Sequence, residues 1–148
     1  MKTGLATILL LLSVAHAADR SREAEVRQTL TQFIQAFDNL DWDRFTSFFS
    51  EDATMFQPRR FLRRSNNKAE IESQFREIFA QIRATQSKAP FMDLEPRDLR
   101  VQLLGSQAAL VTFHLDDRAG MINRRTIVLQ RFNSGWKIVH IHASELPL

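Results

Sequence analysis

The sequence predicts an α+β domain in which helices from the first half lie on one side of a curved antiparallel sheet from the second half. Three observations predict it. Two segments of the first half repeat apolar residues at helical offsets. The second half is a series of short runs rich in β-formers. Gly105, Gly120 and Gly135 punctuate those runs at equal spacing, as turns of a meander do. The length of 148 residues suits a single core. With 44% hydrophobic and 25% charged residues, the composition excludes a disordered, collagen-like or multi-spanning membrane chain.

Residues 1–17 read MKTGLATILLLLSVAHA. Lys2 precedes an apolar run from Leu5 to Val14, and Ala15-His16-Ala17 offers the small residues a signal peptidase reads. The run is too short to span a bilayer. Residues 1–17 are therefore expected to be a signal peptide and 18–148 the folded domain, in the periplasm or secreted. An uncleaved anchor is the alternative. Cysteine is absent, which excludes a lipoprotein, a disulfide framework, a thiolate nucleophile and a Cys-ligated metal. Removing residues 1–17 leaves 19 basic residues against 17 acidic ones, too even a balance to imply nucleic acid.

The first helix is expected from Arg22 to Asp38. Val26, Leu30, Phe33, Ile34 and Phe37 share one face, with Ser21 as cap and Glu23 and Glu25 suiting the positive end of the dipole. Asn39 and Leu40 end it. Asp41 caps a shorter helix carrying Trp42, Phe45, Phe48 and Phe49. Ala53 to Gln57 reads as a short strand closed by Pro58. Asn67 with Glu70 starts a third helix, Lys68 to Thr85, whose Ile71, Phe75, Ile78, Phe79 and Ile82 repeat the first helix's offsets. Pro90 and Pro96 bracket an extended piece with Phe91, Met92 and Leu94. Strand-like runs then cover Leu99–Leu104, Ala108–Asp117, Met121–Phe132 and Trp136–Ser144.

Pairing Leu104 with Gln107, Asp116 with Met121 and Arg131 with Trp136 sorts the side chains by alternation. One face collects Leu99, Val101, Leu103, Ala108, Leu110, Thr112, His114, Asn123, Arg125, Ile127, Leu129, Trp136, Ile138, His140 and His142. It is apolar at one end and polar at the other, as suits a sheet packed on helices and open as a pocket. The opposite face carries a patch of Val111, Phe113, Val128, Val139 and Ile141. A patch of that kind needs a cover, and a second copy in a homodimer would supply it.

Three stretches carry a family resemblance: FIQAFDNLDWDRFTSFFSEDATMF (Phe33–Phe56), VQLLGSQAALVTF (Val101–Phe113) and GWKIVHIHASELP (Gly135–Pro147). In these the chain resembles the nuclear transport factor 2-like superfamily, in its SnoaL-like branch. The resemblance implies a cone-shaped α+β domain, a cystatin-like roll whose curved sheet wraps around three helices and leaves a deep pocket, often as a dimer. That scaffold hosts isomerases, dehydratases, cyclases and non-catalytic binding or assembly modules, so the fold alone does not supply a function. Steroid isomerases and scytalone-type dehydratases of this fold rely on tyrosine. This sequence has none, which disfavours both activities.

His140 and His142 stand two apart on a strand and would share a face with His114 and Arg125. Arg125 would take a carboxylate as a fork, and the imidazoles would donate or shuttle protons. The plainer roles are a satisfied core histidine and an internal ion pair. Trp42, Asn123 and His142 join Arg125 as candidate ligand-binding residues. The resemblance places general bases near Asp52, so Asp52, His114 and His140 form a candidate acid–base set. Asp52 as a turn carboxylate is the alternative. A His-x-His pair without an assured carboxylate does not define a metal site, and no cofactor is expected.

Arg59, Arg60, Arg63 and Arg64, with Lys68, put five cations in ten residues. They suit weak contact with an anionic surface, or a solvated loop balanced by the third helix. The leading expectation is an exported domain binding a small polar or anionic organic ligand. A small lyase or isomerase is the second reading, and a homo-oligomeric assembly module the third.

Overall fold

The computed structural model describes residues 4–58, 63–116 and 120–147, with side chains described from residue 16 onward and not at 116. Arg59 and Arg60 lie outside the described residues. The element order is α1 (Gly4–Asp38), α2 (Trp42–Ser47), β1 (Phe49–Phe56), α3 (Lys68–Thr85), β2 (Pro96–Leu103), β3 (Ala108–Asp116), β4 (Met121–Phe132) and β5 (Gly135–Pro147). The strands form one sheet in the order β1-β5-β4-β3-β2.

Helix α1 runs through Ser21 instead of starting there, so Ser21 is no cap and the segment before Arg22 is helical too. No helix among the described residues is long and apolar enough to cross a membrane. The other two helix starts follow the sequence. Asp41 accepts the Arg44 amide at 3.2 Å, and Asn67 accepts the Glu70 amide at 2.9 Å. The Glu70 carboxylate reaches back to the Asn66 amide at 2.8 Å, which completes a capping box displaced by one residue.

The apolar stripes of the three helices converge on phenylalanine. Phe45 is fully buried, with ring centroids 5.3 Å from Phe33, 4.7 Å from Phe75 and 5.2 Å from Phe79. Stacked and tilted contacts of this kind bury large apolar area. Ile71, Val26 and Leu30 extend the core beneath them. At the closed end Trp136 donates its indole N–H to Glu25 at 3.1 Å, fixing β5 to α1.

The sheet differs from the expectation in four ways. The first strand pairs parallel with β5, Thr54 opposite His140 and Phe56 opposite His142; the other pairs are antiparallel. The segment after α3, expected to be extended between Pro90 and Pro96, bends through residues 88–92 and is a loop up to Glu95. Two hairpins are slipped by one residue: Leu103 opposes Ala109 and Asp116 opposes Ile122. The slips cancel for β4 and invert only β3. Ala109, Val111, Phe113 and Leu115 are therefore buried against the helices, and Ala108, Leu110, Thr112 and His114 point away. Finally, a bulge interrupts β4–β5 between the pairs Leu129–Ile138 and Val128–His140. Val139 is the extra residue, and it reverses the alternation of everything after it. Trp136 and Ile138 face inward as expected; His140 and His142 face outward, and Ile141 and Ala143 take the inner face. The supposed dimer patch is thus mostly core: Val111, Phe113 and Ile141 are covered by this chain's own helices.

Candidate functional site

The sheet curves around the phenylalanine cluster and opens beyond it into a cavity of about 720 Å³. Its floor is Phe33, Phe37, Phe45 and Phe75; its sheet wall includes Phe113, Leu115, Ile127 and Ile141. Its roof is the loop between α3 and β2, whose Phe91, Met92, Asp93, Leu94 and Glu95 all line it. Asp38 at the end of α1 ties that loop down. Its carbonyl accepts the Phe91 amide at 2.6 Å, and its carboxylate accepts the Leu94 amide at 2.9 Å. Burial holds the Asp38 carboxyl above its ordinary value, against the opposing pull of the Leu94 amide. The lining thus joins apolar walls to polar and charged side chains, Gln57, Asp93, Glu95, Arg97, Asn123, Arg125 and Glu145 among them, and convergent polar groups on an apolar surface are what orient a small molecule in a site.

Three of the lining's polar groups, Asn123, Arg125 and Glu145, share the wall made by β4 and β5. Asn123 is 8% exposed and sits directly opposite Glu145. Arg125 is two residues along β4, so Glu145 is its diagonal neighbour, within reach of a long side chain. Glu145 carries a fully buried carboxylate oxygen. Burial pulls the Arg125 guanidinium below its ordinary value, and the Glu145 carboxylate acts the other way. Arg125 also donates to the Arg124 carbonyl at 3.0 Å. Gln57 enters from the end of β1, its amide donating to Gln74 of α3 at 2.8 Å.

Of the residues singled out in the sequence, the structure places Arg125 and Asn123 in the cavity and brings no other with them. Asp52 is exposed on β1 and accepts the Ser50 hydroxyl at 2.7 Å. Trp42 lies outside the lining, packed edge-on against Phe79 with the Arg76 guanidinium 4.2 Å from its ring centroid. His114 lines a shallow groove on the outer face, beside Arg124 and Thr126. His140 bonds Thr54 Oγ1 through Nδ1 at 2.8 Å; it and His142 flank Phe56 on that same face. None of the expected set Asp52, His114 and His140 lines the cavity, because β3 is slipped and the Val139 bulge turns the histidines outward. Arg63 and Arg64 are exposed, with Arg64 donating to the Asn66 side chain at 2.9 Å.

The residues missed were Glu145, Gln57 and the loop over the cavity. A signal for Glu145 was present. Apolar residues of β5 occupy even positions at Trp136 and Ile138, then odd ones at Ile141 and Ala143. That change of phase marks the bulge and sends Glu145 inward.

Residues 26–148 match the model of the SnoaL-like domain. The chain belongs to that family. Among solved structures it is similar to an NTF2-like protein of unknown function from Pseudomonas putida KT2440, at 21% identity over 84% of this chain and 87% of that one, TM-score 0.71. It is also similar to a candidate dehydratase of the NTF2-like family from Streptomyces avermitilis, at 18% identity over 87% and 97%, TM-score 0.71. A cystatin-like fold protein from Burkholderia xenovorans LB400 matches at 16% identity over 86% and 94%, TM-score 0.67. At these identities the likeness establishes the fold. Among curated proteins, none matches the sequence.

Proposed function

We propose that this SnoaL-like domain binds a small organic molecule in the cone cavity, its apolar body against the phenylalanine floor and its polar end at Arg125 and Asn123. The observation that carries the reading is the cavity itself: about 720 Å³ with an apolar floor and, on the wall made by β4 and β5, the Arg125 guanidinium, the buried Asn123 amide and the Glu145 carboxylate. That volume is within the range of pockets that enclose drug-sized ligands. Asp52, His114 and His140, the set expected for acid–base work, stand outside the lining, so the reading is of binding.

Calorimetric titration with naphthylmethanol tests this. The probe offers a flat apolar body and a single hydroxyl. It is expected to bind the wild-type protein and to lose about tenfold in affinity in Arg125→Met, which keeps the apolar stem and removes the donor. Absence of binding to the wild type, or equal affinity in the variant, would overturn the proposal.

A further inference from the structure

Each of the two cations on the cavity lining has a carboxylate beside it. The lining cations are Arg97 and Arg125; the lining anions are Asp93, Glu95 and Glu145. Arg97 donates to Glu95 at 2.6 Å, so its charge is already matched at the rim. Deeper in, Arg125 shares its wall with Glu145, one diagonal step across the β4–β5 ladder. Glu145 is no solvated surface carboxylate: one of its oxygens is fully buried. Partly buried charges of opposite sign act on each other with less screening than fully exposed ones. Arg125 alone would make this wall an anion site. Arg125 with Glu145 makes a dipolar wall with donors at Arg125 and Asn123 and an acceptor at Glu145.

We infer that Glu145 is the specificity-determining residue of the cavity: it cancels the field of Arg125, so that the site selects a neutral ligand whose polar end both accepts and donates a hydrogen bond, as a hydroxyl does, and rejects a carboxylate. A hydroxyl oxygen can accept from Arg125 or Asn123 while its hydrogen is given to Glu145. A carboxylate can only accept, and it would be placed beside the like charge of Glu145, one of whose oxygens is buried, a cost that discriminates between partners. The inference rests on the cavity being the ligand site and names the ligand class for it.

Two probes of the same body separate the cases: naphthylmethanol, neutral with one hydroxyl, and naphthoate, an anion of similar size. Titrated into the wild-type protein near neutral pH, the alcohol is expected to bind about tenfold or more tighter than the anion. In Glu145→Gln, which keeps shape and removes the charge, naphthoate is expected to gain about tenfold and the preference to disappear or reverse. If the wild type takes naphthoate as well as the alcohol, or if Glu145→Gln leaves the preference unchanged, the role of Glu145 is overturned while binding in the cavity stands. If neither probe binds, the inference falls together with the binding proposal. The wild-type comparison needs no variant, so a poorly folded Glu145→Gln protein leaves the decision to it.

Discussion

At the scale of single residues, orientation decides chemistry here. Asn123 and Arg125 were placed correctly from sequence, because β4 keeps strict alternation and the two hairpin slips cancel on reaching it. His114, His140 and His142 were not, and each was displaced by a single residue of register. His140 now sits on the outer face, where burial holds its imidazole below the ordinary value of 6.5, with the nearby charges of His142 and Arg64 adding to the effect. A base whose folded pKa is depressed gives its full contribution above the unfolded value and loses it as pH falls through the folded one. Acidification below 6.5 protonates His140 in the unfolded chain first and so favours unfolding. Thermal melts from pH 7 down to pH 5 are expected to show a shallower loss of Tm in His140→Gln than in wild type. Parallel curves would remove His140 from the acid response.

Among the elements, the helices were legible and the sheet's handedness of facing was not. A helical stripe is read from several residues at once. Val26, Leu30, Phe33, Ile34 and Phe37 cannot all be wrong together, and all of them pack on or against the core. A strand has period two, so one extra residue reverses it. The loop from Leu104 to Gln107 and the bulge at Val139 each supplied such a residue. The strength of the helical layer has a direct measure. Phe45 is fully buried and meets five other phenylalanine rings. Phe45→Ala is expected to cost ~3–5 kcal/mol in urea denaturation, because it opens a void where α1, α2 and α3 meet. A loss below ~1 kcal/mol would mean the cluster closes over the gap and that this contact is not the keystone of the layer.

For the whole molecule, the fold followed from pattern and the site followed from curvature. Helical stripes, turn glycines and the three family-like stretches were enough for a SnoaL-like α+β domain. The cavity is not written in any one segment. Phe33 and Phe37 come from α1, Gln57 from β1's end, Phe75 from α3, the roof from the loop after it, and Arg125 and Glu145 from the last two strands. The parallel pairing of β1 with β5 closes this arrangement by joining the first strand of the chain to the last. The same curvature divides the sheet into an inner face that holds the cavity and an outer face that carries the histidines. The account therefore predicts which side of the sheet a ligand touches.

Isotope-edited nuclear Overhauser spectroscopy with naphthylmethanol reads that side directly. Cross-peaks are expected from the naphthyl protons to the methyl groups of Leu115, Ile127 and Ile141 on the inner face. Cross-peaks to Leu110 and Val128 on the outer face, with none to the inner set, would contradict it.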